Sequence, residues 1–180
     1  MGELPRGVGL WLSRHWLGAG NAVMLVFAGL PVLSPLLAAA GWREPASAIF
    51  ARYALVCHQL PSRTFFLFGQ PMAYCERNTA IYGSLAVGGL LWARFGKHVS
   101  RLPFWAYLLL ITPMALDGFT QLFGWRESTW ELRVITGTLF GVASLWLALP
   151  VVGDYMGLLA LLLRGRERTV AGAQRHVSVG

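Results

Sequence analysis

Residues 16–42 read WLGAGNAVMLVFAGLPVLSPLLAAAGW, and none of these side chains is charged. A helix needs about 20 apolar residues to cross the hydrocarbon core of a bilayer, and this run is longer. Pro31 and Pro35 would kink its second half. A signal peptide is the alternative interpretation because arginines precede the run, but its apolar core exceeds the usual length of about 7–15 residues. The run therefore predicts a transmembrane helix near residues 17–40.

Three further apolar runs follow and predict membrane helices near residues 77–94, 102–124 and 134–153. Several glycines in the first of these three runs favour close helix packing. Residues 155–163 are apolar again, so they either extend the fourth helix or lie in the membrane interface. The predicted fold is therefore all-α, an integral membrane bundle of about four transmembrane helices with a long extracytoplasmic first loop.

We predict one transmembrane domain over residues 1–163, followed by a basic tail, residues 164–180, that we expect to be disordered. The whole composition agrees with a membrane protein. Of the 180 residues, 56% are hydrophobic and 13% are charged, with a mean hydropathy of +0.54. Soluble domains typically carry about 25% charged residues. The expected surroundings of this chain are therefore a lipid bilayer.

The net charge of +7 comes from 15 lysines and arginines against 8 acidic residues. In a soluble protein such an excess would suggest nucleic acid, but here the positive charges cluster at the ends of apolar runs, so we expect no nucleic-acid partner. The N-terminus, the second loop and the C-terminus are the basic segments. By the positive-inside rule, the protein is a multi-pass protein of the cell membrane with both termini cytoplasmic. The first loop, residues 43–77, then lies outside.

Asp117 is the most informative polar residue because a carboxylate at the centre of a membrane helix costs about 2.5–3.5 kcal/mol on insertion scales. Asp117, Thr120 and Gln121 share one helix face through their i, i+3 and i+4 spacing. The expected partner is an arginine of another segment, Arg77 first and Arg133 second, with Arg126 also near this depth. Such a pair either fixes helix packing or belongs to a site that binds or transports a ligand.

Cys57, His58 and Cys75 fall in or beside the outer loop and allow three interpretations. The cysteines form a disulfide, which an extracytoplasmic compartment permits, and their Cα atoms then lie within about 7 Å. Alternatively, both thiolates and the imidazole bind a zinc or copper ion, although adjacent ligands are unusual in metal motifs. In the third interpretation all three are buried packing residues. No Cys-x-x-Cys occurs, which disfavours a disulfide oxidoreductase.

Four blocks of sequence together resemble domain-of-unknown-function family 2085, a family of small prokaryotic membrane proteins. The blocks lie within residues 53–141 and read CHQLPSRTFF (57–66), CERNTAIYG (75–83), LDGFTQ (116–121) and REST (126–129), followed by Arg133 and Thr136-Gly137. The family's middle block usually reads Cys-x-Arg-Cys-Thr-Gly, whereas Asn78 and Ala80 replace its second Cys and its Gly here. The resemblance implies a membrane protein and adds Gln59 and Arg63 to the candidate polar cluster, but it implies no reaction.

Three functions remain open from the sequence. The first is a binding or transport module with an outer polar pocket; as a transporter, so small a chain would need to form a homo-oligomer. The second is a membrane enzyme that acts on a lipid at the outer leaflet, with Asp117 or His58 as general base. The third is an accessory subunit of a larger membrane complex. We favour an outer polar or metal-binding site and leave enzymatic activity undecided.

Overall fold

The fold is given by a computed structural model that describes residues 6–177, with side chains described within residues 7–96 and 98–165. The protein is mostly helical (78%). Its elements are helix α1 (Arg6–Ala39), helix α2 (Arg43–Tyr53), strands β1 (Thr64–Leu67) and β2 (Gln70–Cys75), and helices α3 (Glu76–Phe95), α4 (Phe104–Leu122) and α5 (Trp130–Val177), with short 3-10 turns at Pro61–Arg63 and Gly96–His98.

Two helices of the described chain, Gly7–Ala39 and Trp130–Gly165, are long and apolar enough to cross a membrane. Helices α3 and α4 have 20 and 19 residues. At about 1.5 Å per residue, this length matches the thickness of a bilayer core. Polar residues at their ends lower their hydropathy, so the four-span bundle stays a prediction.

Helix α5 is longer than the sequence predicts. It has 48 residues and passes through Pro150 without ending. Residues 155–163 therefore extend the fourth predicted helix, one of the two alternatives considered for them. The helix also continues to Val177, into the tail that the sequence predicts to be disordered. The division of the chain at residue 163 stays a prediction.

The first loop contains a helix and a β-hairpin, and the hairpin is a feature that the sequence analysis missed. Strands β1 and β2 pair antiparallel, with Leu67 opposite Gln70. The two turn residues, Phe68 and Gly69, have φ angles of 52° and 75°. A two-residue turn with both φ angles positive matches the right-handed twist of paired strands. The structure thus adds a two-stranded sheet to the predicted all-α fold.

A carbonyl group that Pro31 leaves free holds this loop against α1. Pro31 has no N–H, so the carbonyl of Phe27, four residues earlier, lacks its usual helical donor. The hydroxyl of Tyr53 donates to this carbonyl at 2.9 Å, and that of Tyr74 donates at 3.4 Å. Buried backbone acceptors need such partners. The missing N–H of Pro31 therefore creates the attachment point for α2 and β2.

Helices α3 and α5 make the most extensive helix contact, and two glycines of α5 permit it. A Cβ atom on Gly137 would lie 2.8 Å from the carbonyl oxygen of Arg77, and one on Gly141 would lie 2.7 Å from that of Ile81. The pair has the Gly-x-x-x-Gly spacing of closely packed membrane helices. The sequence analysis emphasised the glycines of α3, whereas those of α5 bring the two backbones together.

Candidate functional site

A cavity of about 380 Å³ opens where the first loop meets α3, α4 and α5. Its wall contains eight of the eleven side chains that the sequence analysis selected. The lining residues are Val56, Cys57, His58, Gln59, Leu60, Arg63, Cys75, Arg77, Asn78, Gln121 and Arg133. The other three, Asp117, Thr120 and Arg126, do not line the cavity but form a polar network with the lining residue Arg77. Segments far apart in sequence therefore meet at one end of the helices.

Asp117 is buried, with 2% of its surface exposed, and forms the centre of a polar network. Its carboxylate is paired with the Arg77 guanidinium of α3, as predicted. Arg126 Nη2 donates to Oδ1 at 2.6 Å, and Ser128 Oγ donates at 2.9 Å to Oδ2, the oxygen that Arg77 contacts. Thr120 Oγ1 accepts from Arg126 Nε at 3.1 Å. Two arginines and a hydroxyl thus compensate the buried carboxylate.

Arg133 does not pair with Asp117, so the second-ranked partner of Asp117 is wrong. Arg133 Nη1 instead donates to Glu76 Oε2 at 2.8 Å, and both residues are buried. Glu76 is the first residue of α3, and Arg133 lies in the first turn of α5. Arg133 therefore pairs with a carboxylate at the start of α3, whereas Asp117 near the end of α4 pairs with other arginines.

Arg63 and Gln121 close the cavity on the side of the first loop. With its amide oxygen facing Arg63, Gln121 accepts from Arg63 Nη2 at 2.8 Å. Arg63 also lies 3.8 Å from the carboxylate of Glu127, whose side chain is 88% exposed. That contact is long and solvated, so it neutralises little of the charge of Arg63.

Gln59 has a structural role in the cavity wall. Its side-chain nitrogen donates to the carbonyl of Phe50 at 2.7 Å and to that of Ala73 at 3.0 Å. Its backbone has a φ angle of 49°, which is uncommon for residues other than glycine. These two hydrogen bonds hold the strained loop against α2 and β2. His58, the next residue toward the N-terminus, is exposed and lines the cavity.

Cys57 and Cys75 lie side by side, as predicted, although 18 positions separate them. The backbone N–H of Cys75 donates to Cys57 Sγ at 3.0 Å. Both cysteines are free thiols in this structure, so the disulfide, one of the three interpretations, is not present. Cys57 is buried and Cys75 is partly buried. Because Cys75 is also the N-cap of α3, the sulfur of Cys57 lies at the positive end of that helix.

The two thiols have different acidities. The hydrogen bond from Cys75 is the main cause that lowers the pKa of Cys57 to about 6, and hydrogen bonds from the Gln59 and Cys75 backbones and the Asn78 side chain add to it. The same thiol–thiol hydrogen bond, together with burial, raises the pKa of Cys75. Cys57 is therefore the thiolate of the pair and Cys75 is its proton donor.

A metal cage is not apparent at the cysteines. Within the side chains that the structure describes, no group of three or more His, Cys, Asp and Glu residues could hold a metal ion. Asn78, which replaces the second Cys of the resembled pattern, lies on the same cavity wall and donates to the Val56 carbonyl at 3.1 Å. Cys57, Cys75 and His58 line one cavity but do not form such a group, so a zinc or copper ion at them stays a prediction.

The wall of the cavity is rich in guanidinium groups, two of which pair with the carboxylates of Asp117 and Glu76 behind the lining. Arg63, Arg77 and Arg133 line it, and no carboxylate does among the residues with described side chains. The Nε atoms of Arg77 and Arg133 are buried and find no hydrogen-bond partner in the same part of the chain. Buried donors without partners are rare because desolvation costs free energy. The charge and the open donors both favour an anionic ligand.

These features define a mostly helical membrane protein with a polar, arginine-lined cavity at one end. The chain belongs to the DUF2085 family of predicted membrane proteins, whose family model matches residues 57–147. The matched range includes Cys57, His58 and Cys75 and every arginine of the site. It confirms the resemblance found in the sequence.

Two archaeal relatives extend this comparison. An uncharacterised protein of Methanocaldococcus jannaschii is 40% identical over 112 residues, which cover 61% of this chain and 72% of that protein. An uncharacterised protein of Methanothermobacter thermautotrophicus is 36% identical over 96 residues, which cover 51% of this chain and 82% of that protein. No solved structure matches this chain significantly.

Sequence reasoning missed three residues of the site: Glu76, Ser128 and Asn78. A signal existed for Glu76, because it directly precedes Arg77 and begins a helix, where a carboxylate is stabilised. Ser128 and Asn78 gave no comparable signal. Their roles depend on loop conformations that bring them to Asp117 and Cys57.

Proposed function

We propose that this protein is a four-span membrane protein that binds a small anion in an arginine-lined cavity on its extracytoplasmic side. The observation that supports the proposal most strongly is the charge of the cavity wall. Three arginines line it, described carboxylates are absent from it, and two buried guanidinium donors are unpartnered.

The four-span arrangement is supported by the apolar side chains that α3 and α4 expose. Exposed large apolar residues in a row are unfavourable in water but suit the acyl chains of lipids. On these two helices they are Val87, Leu90, Leu91, Phe95, Phe104, Trp105, Leu108, Leu109, Leu116, Phe119 and Leu122. Lipid contact along both helices would explain why they bury so little of this surface within the chain.

The orientation follows from the charges at the two ends of the helices. Arg94 and Arg101 flank the end opposite the cavity, as do the arginines near the end of α5. By the positive-inside rule that end is cytoplasmic. The cavity then faces the outer compartment, with the hairpin and α2 beside it.

The class of ligand follows from the geometry of guanidinium groups. Arginine presents planar, paired donors that match carboxylate, phosphate and sulfate oxygens. Arg77 and Arg133 are already held by carboxylates through their terminal nitrogens, so their orientation is fixed before a ligand arrives. The Arg63 side chain is 34% exposed and lines the cavity. A small carboxylate, phosphate or sulfate fits a cavity of about 380 Å³.

Calorimetric titration of the detergent-purified protein tests this proposal, with inorganic phosphate, sulfate and succinate at constant ionic strength. We expect saturable binding of at least one anion. Arg63→Gln should weaken it about tenfold or more, because one charge-assisted hydrogen bond is lost. Arg63 is the best site for substitution, since Arg77 and Arg133 also hold buried ion pairs.

Arg101→Gln is the matched control. This arginine lies at the opposite end of the molecule and pairs with Asp154 on the surface. Its loss should leave anion affinity within about twofold of the native value, because screening reduces interactions between distant exposed charges. Equal losses in both variants, or no saturable binding of any of the three anions, would contradict the proposal.

The metal, complex and lipid alternatives are separated by native mass spectrometry of the same preparation. Bound zinc or copper at the two thiols and His58 would add a defined mass that Cys57→Ala removes. An accessory subunit would retain a partner chain, a homo-oligomer would give a multiple of 19.8 kDa, and a lipid enzyme would retain lipid. An anion-binding module needs none of these additions.

A further inference from the structure

We propose that Cys57 and Cys75 form a dithiol that exchanges with small disulfide compounds entering the cavity, so that the protein is a thiol–disulfide exchange module. The exchange itself rests only on the two cysteines and their access to the cavity. A preference for anionic disulfides additionally rests on the proposed anion site.

Proximity of the two sulfur-bearing residues is the first support. Cys75 N–H donates to Cys57 Sγ at 3.0 Å, so the residues are in direct contact without any rearrangement of the loop. A Cys-x-x-Cys motif places two thiols together by sequence. Here the fold does so, with Cys57 after α2 and Cys75 at the start of α3. The missing motif therefore does not exclude exchange chemistry.

Access and polarity are the second support. Cys57 and Cys75 both line the cavity, although Cys57 also packs in the buried cluster of Tyr53, Ala73 and Tyr74. Cys57 Sγ receives a backbone N–H at the N-terminal end of α3, and Arg77 and Arg133 line the same wall. Reactive cysteines lie in such electropositive surroundings at helix N-termini, because these stabilise the attacking thiolate.

The exchange runs in two displacements. In the first, the Cys57 thiolate attacks one sulfur of a disulfide RSSR, the S–S bond breaks, and RS⁻ leaves. In the second, Cys75 gives its proton to the RS⁻ released first, which becomes RSH, and its thiolate attacks Cys57 Sγ. The second RS⁻ leaves and takes up from solvent the proton that Cys57 lost when it formed its thiolate. The protein has lost two hydrogen atoms and holds a Cys57–Cys75 disulfide, and RSSR has become two RSH. A dithiol reductant reverses the sequence.

The reagent class follows from the cavity wall. Because three arginines line it, an anionic disulfide should approach faster than a neutral or cationic one. Glutathione-like or other carboxylate-bearing disulfides have this chemistry. The arginines would hold the carboxylates while the S–S bond faces Cys57.

The experiment uses the full-length reduced protein in detergent and the dianionic disulfide dithiobis(nitrobenzoate). The chain has only two cysteines, so every event is assigned to one of them. We expect the native protein to release two equivalents of coloured thiol and to end without adduct, two hydrogens lighter by intact mass. Cys75→Ala should release one equivalent and retain one adduct on Cys57. Cys57→Ala should react at least tenfold more slowly.

Two adducts on the native protein, or no reaction before denaturation, would overturn the exchange. Reduction of the oxidised protein with dithiothreitol distinguishes an exchanging dithiol from a structural disulfide. We expect it to restore two free thiols while the protein keeps its native melting temperature. Unfolding on reduction would overturn the proposal.

Charge dependence separates this proposal from the anion site. The rate with dithiobis(nitrobenzoate) should exceed that with neutral dithiodipyridine, and Arg63→Gln should reduce this ratio severalfold while Arg101→Gln leaves it unchanged. Transfer to Cys75 without any charge preference supports exchange and contradicts the anion site. A charge preference without transfer to Cys75 contradicts exchange and supports the anion site.

Discussion

Asp117 shows how much of this site rests on one buried carboxylate. Two guanidinium groups and a serine hydroxyl surround it. Its removal would leave those arginines facing each other in a poorly solvated region. The charged residues of the site are therefore interdependent, and a single substitution should affect several of them.

We expect Asp117→Asn to lower stability by about 3–5 kcal/mol, the usual cost of removing one partner of a buried pair. Asparagine has the same shape as aspartate, so steric effects are small. Its amide oxygen can still accept the hydrogen bond from Ser128, so the loss of charge is the main change. Thermal melting in detergent is the measurement. Asp154→Asn is the control, because its pair with Arg101 is exposed and worth about 0–1 kcal/mol. Similar shifts for both variants would show that the Asp117 network adds little stability.

Cys57 should titrate well below an ordinary thiol, whose pKa is about 8.5. Since the hydrogen bond from Cys75 lowers its pKa to about 6, the thiolate predominates above that pH. Alkylation of Cys57 by iodoacetamide should therefore rise through pH 6 and level off near neutrality. Cys75, whose pKa is raised, should stay unmodified there. Peptide mass spectrometry distinguishes the two sites, and a midpoint above pH 8 for Cys57 would contradict this prediction.

At the scale of elements, helix α1 and the loop packed on it depend on each other. Tyr53 and Tyr74 donate to the Phe27 carbonyl that Pro31 leaves without a helical donor. Tyr53→Phe should cost about 1–3 kcal/mol by removing the shorter of these two hydrogen bonds.

In a Pro31→Ala background the same Tyr53→Phe change should cost less, because the new N–H of residue 31 can serve the Phe27 carbonyl. Denaturant or thermal melts of the four proteins give the coupling energy of this double-mutant cycle. Additive effects would mean that the tyrosine hydroxyls do not replace the missing helical hydrogen bond.

The elements that could be predicted from the sequence are those with long apolar runs. The predicted bounds of the second and third spans agree with α3 and α4 within a few residues. The predicted end of the first span agrees with that of α1, but α1 begins earlier, at Arg6. The hairpin could not be predicted, since its strands have only four and six residues and its turn is Phe-Gly instead of the usual Asn-Gly.

Some residues of the site could also be predicted from the apolar runs, because a polar side chain is conspicuous within them. A carboxylate in an apolar run demands a partner, so Asp117 and an arginine followed from sequence. Which arginine it contacts depends on how each helix is rotated about its axis. The sequence indicates only how deep each residue lies along the membrane normal. Arg133 therefore ranked above Arg126, although Arg126 is the second partner in the structure.

At the scale of the whole molecule, membrane topology is the property that the proposals need. Reporter fusions at Gly69 and at the C-terminus should report opposite sides of the membrane, with the C-terminus cytoplasmic. The positive charges at the end of the helices opposite the cavity are the physical reason. Reporters on the same side would contradict both the four-span arrangement and the outer position of the cavity.

The two adjacent residues that begin α3 have a consequence for the handedness of the bundle. Glu76 pairs with Arg133 on α5, and Arg77 pairs with Asp117 on α4. If α4 and α5 exchanged places around α3, Glu76 would face an aspartate and Arg77 would face an arginine. Apolar side chains distinguish such mirror-image arrangements poorly, whereas like charges at both contacts would penalise the wrong one. The order of an acid and a base at one helix end thus selects which way the chain winds.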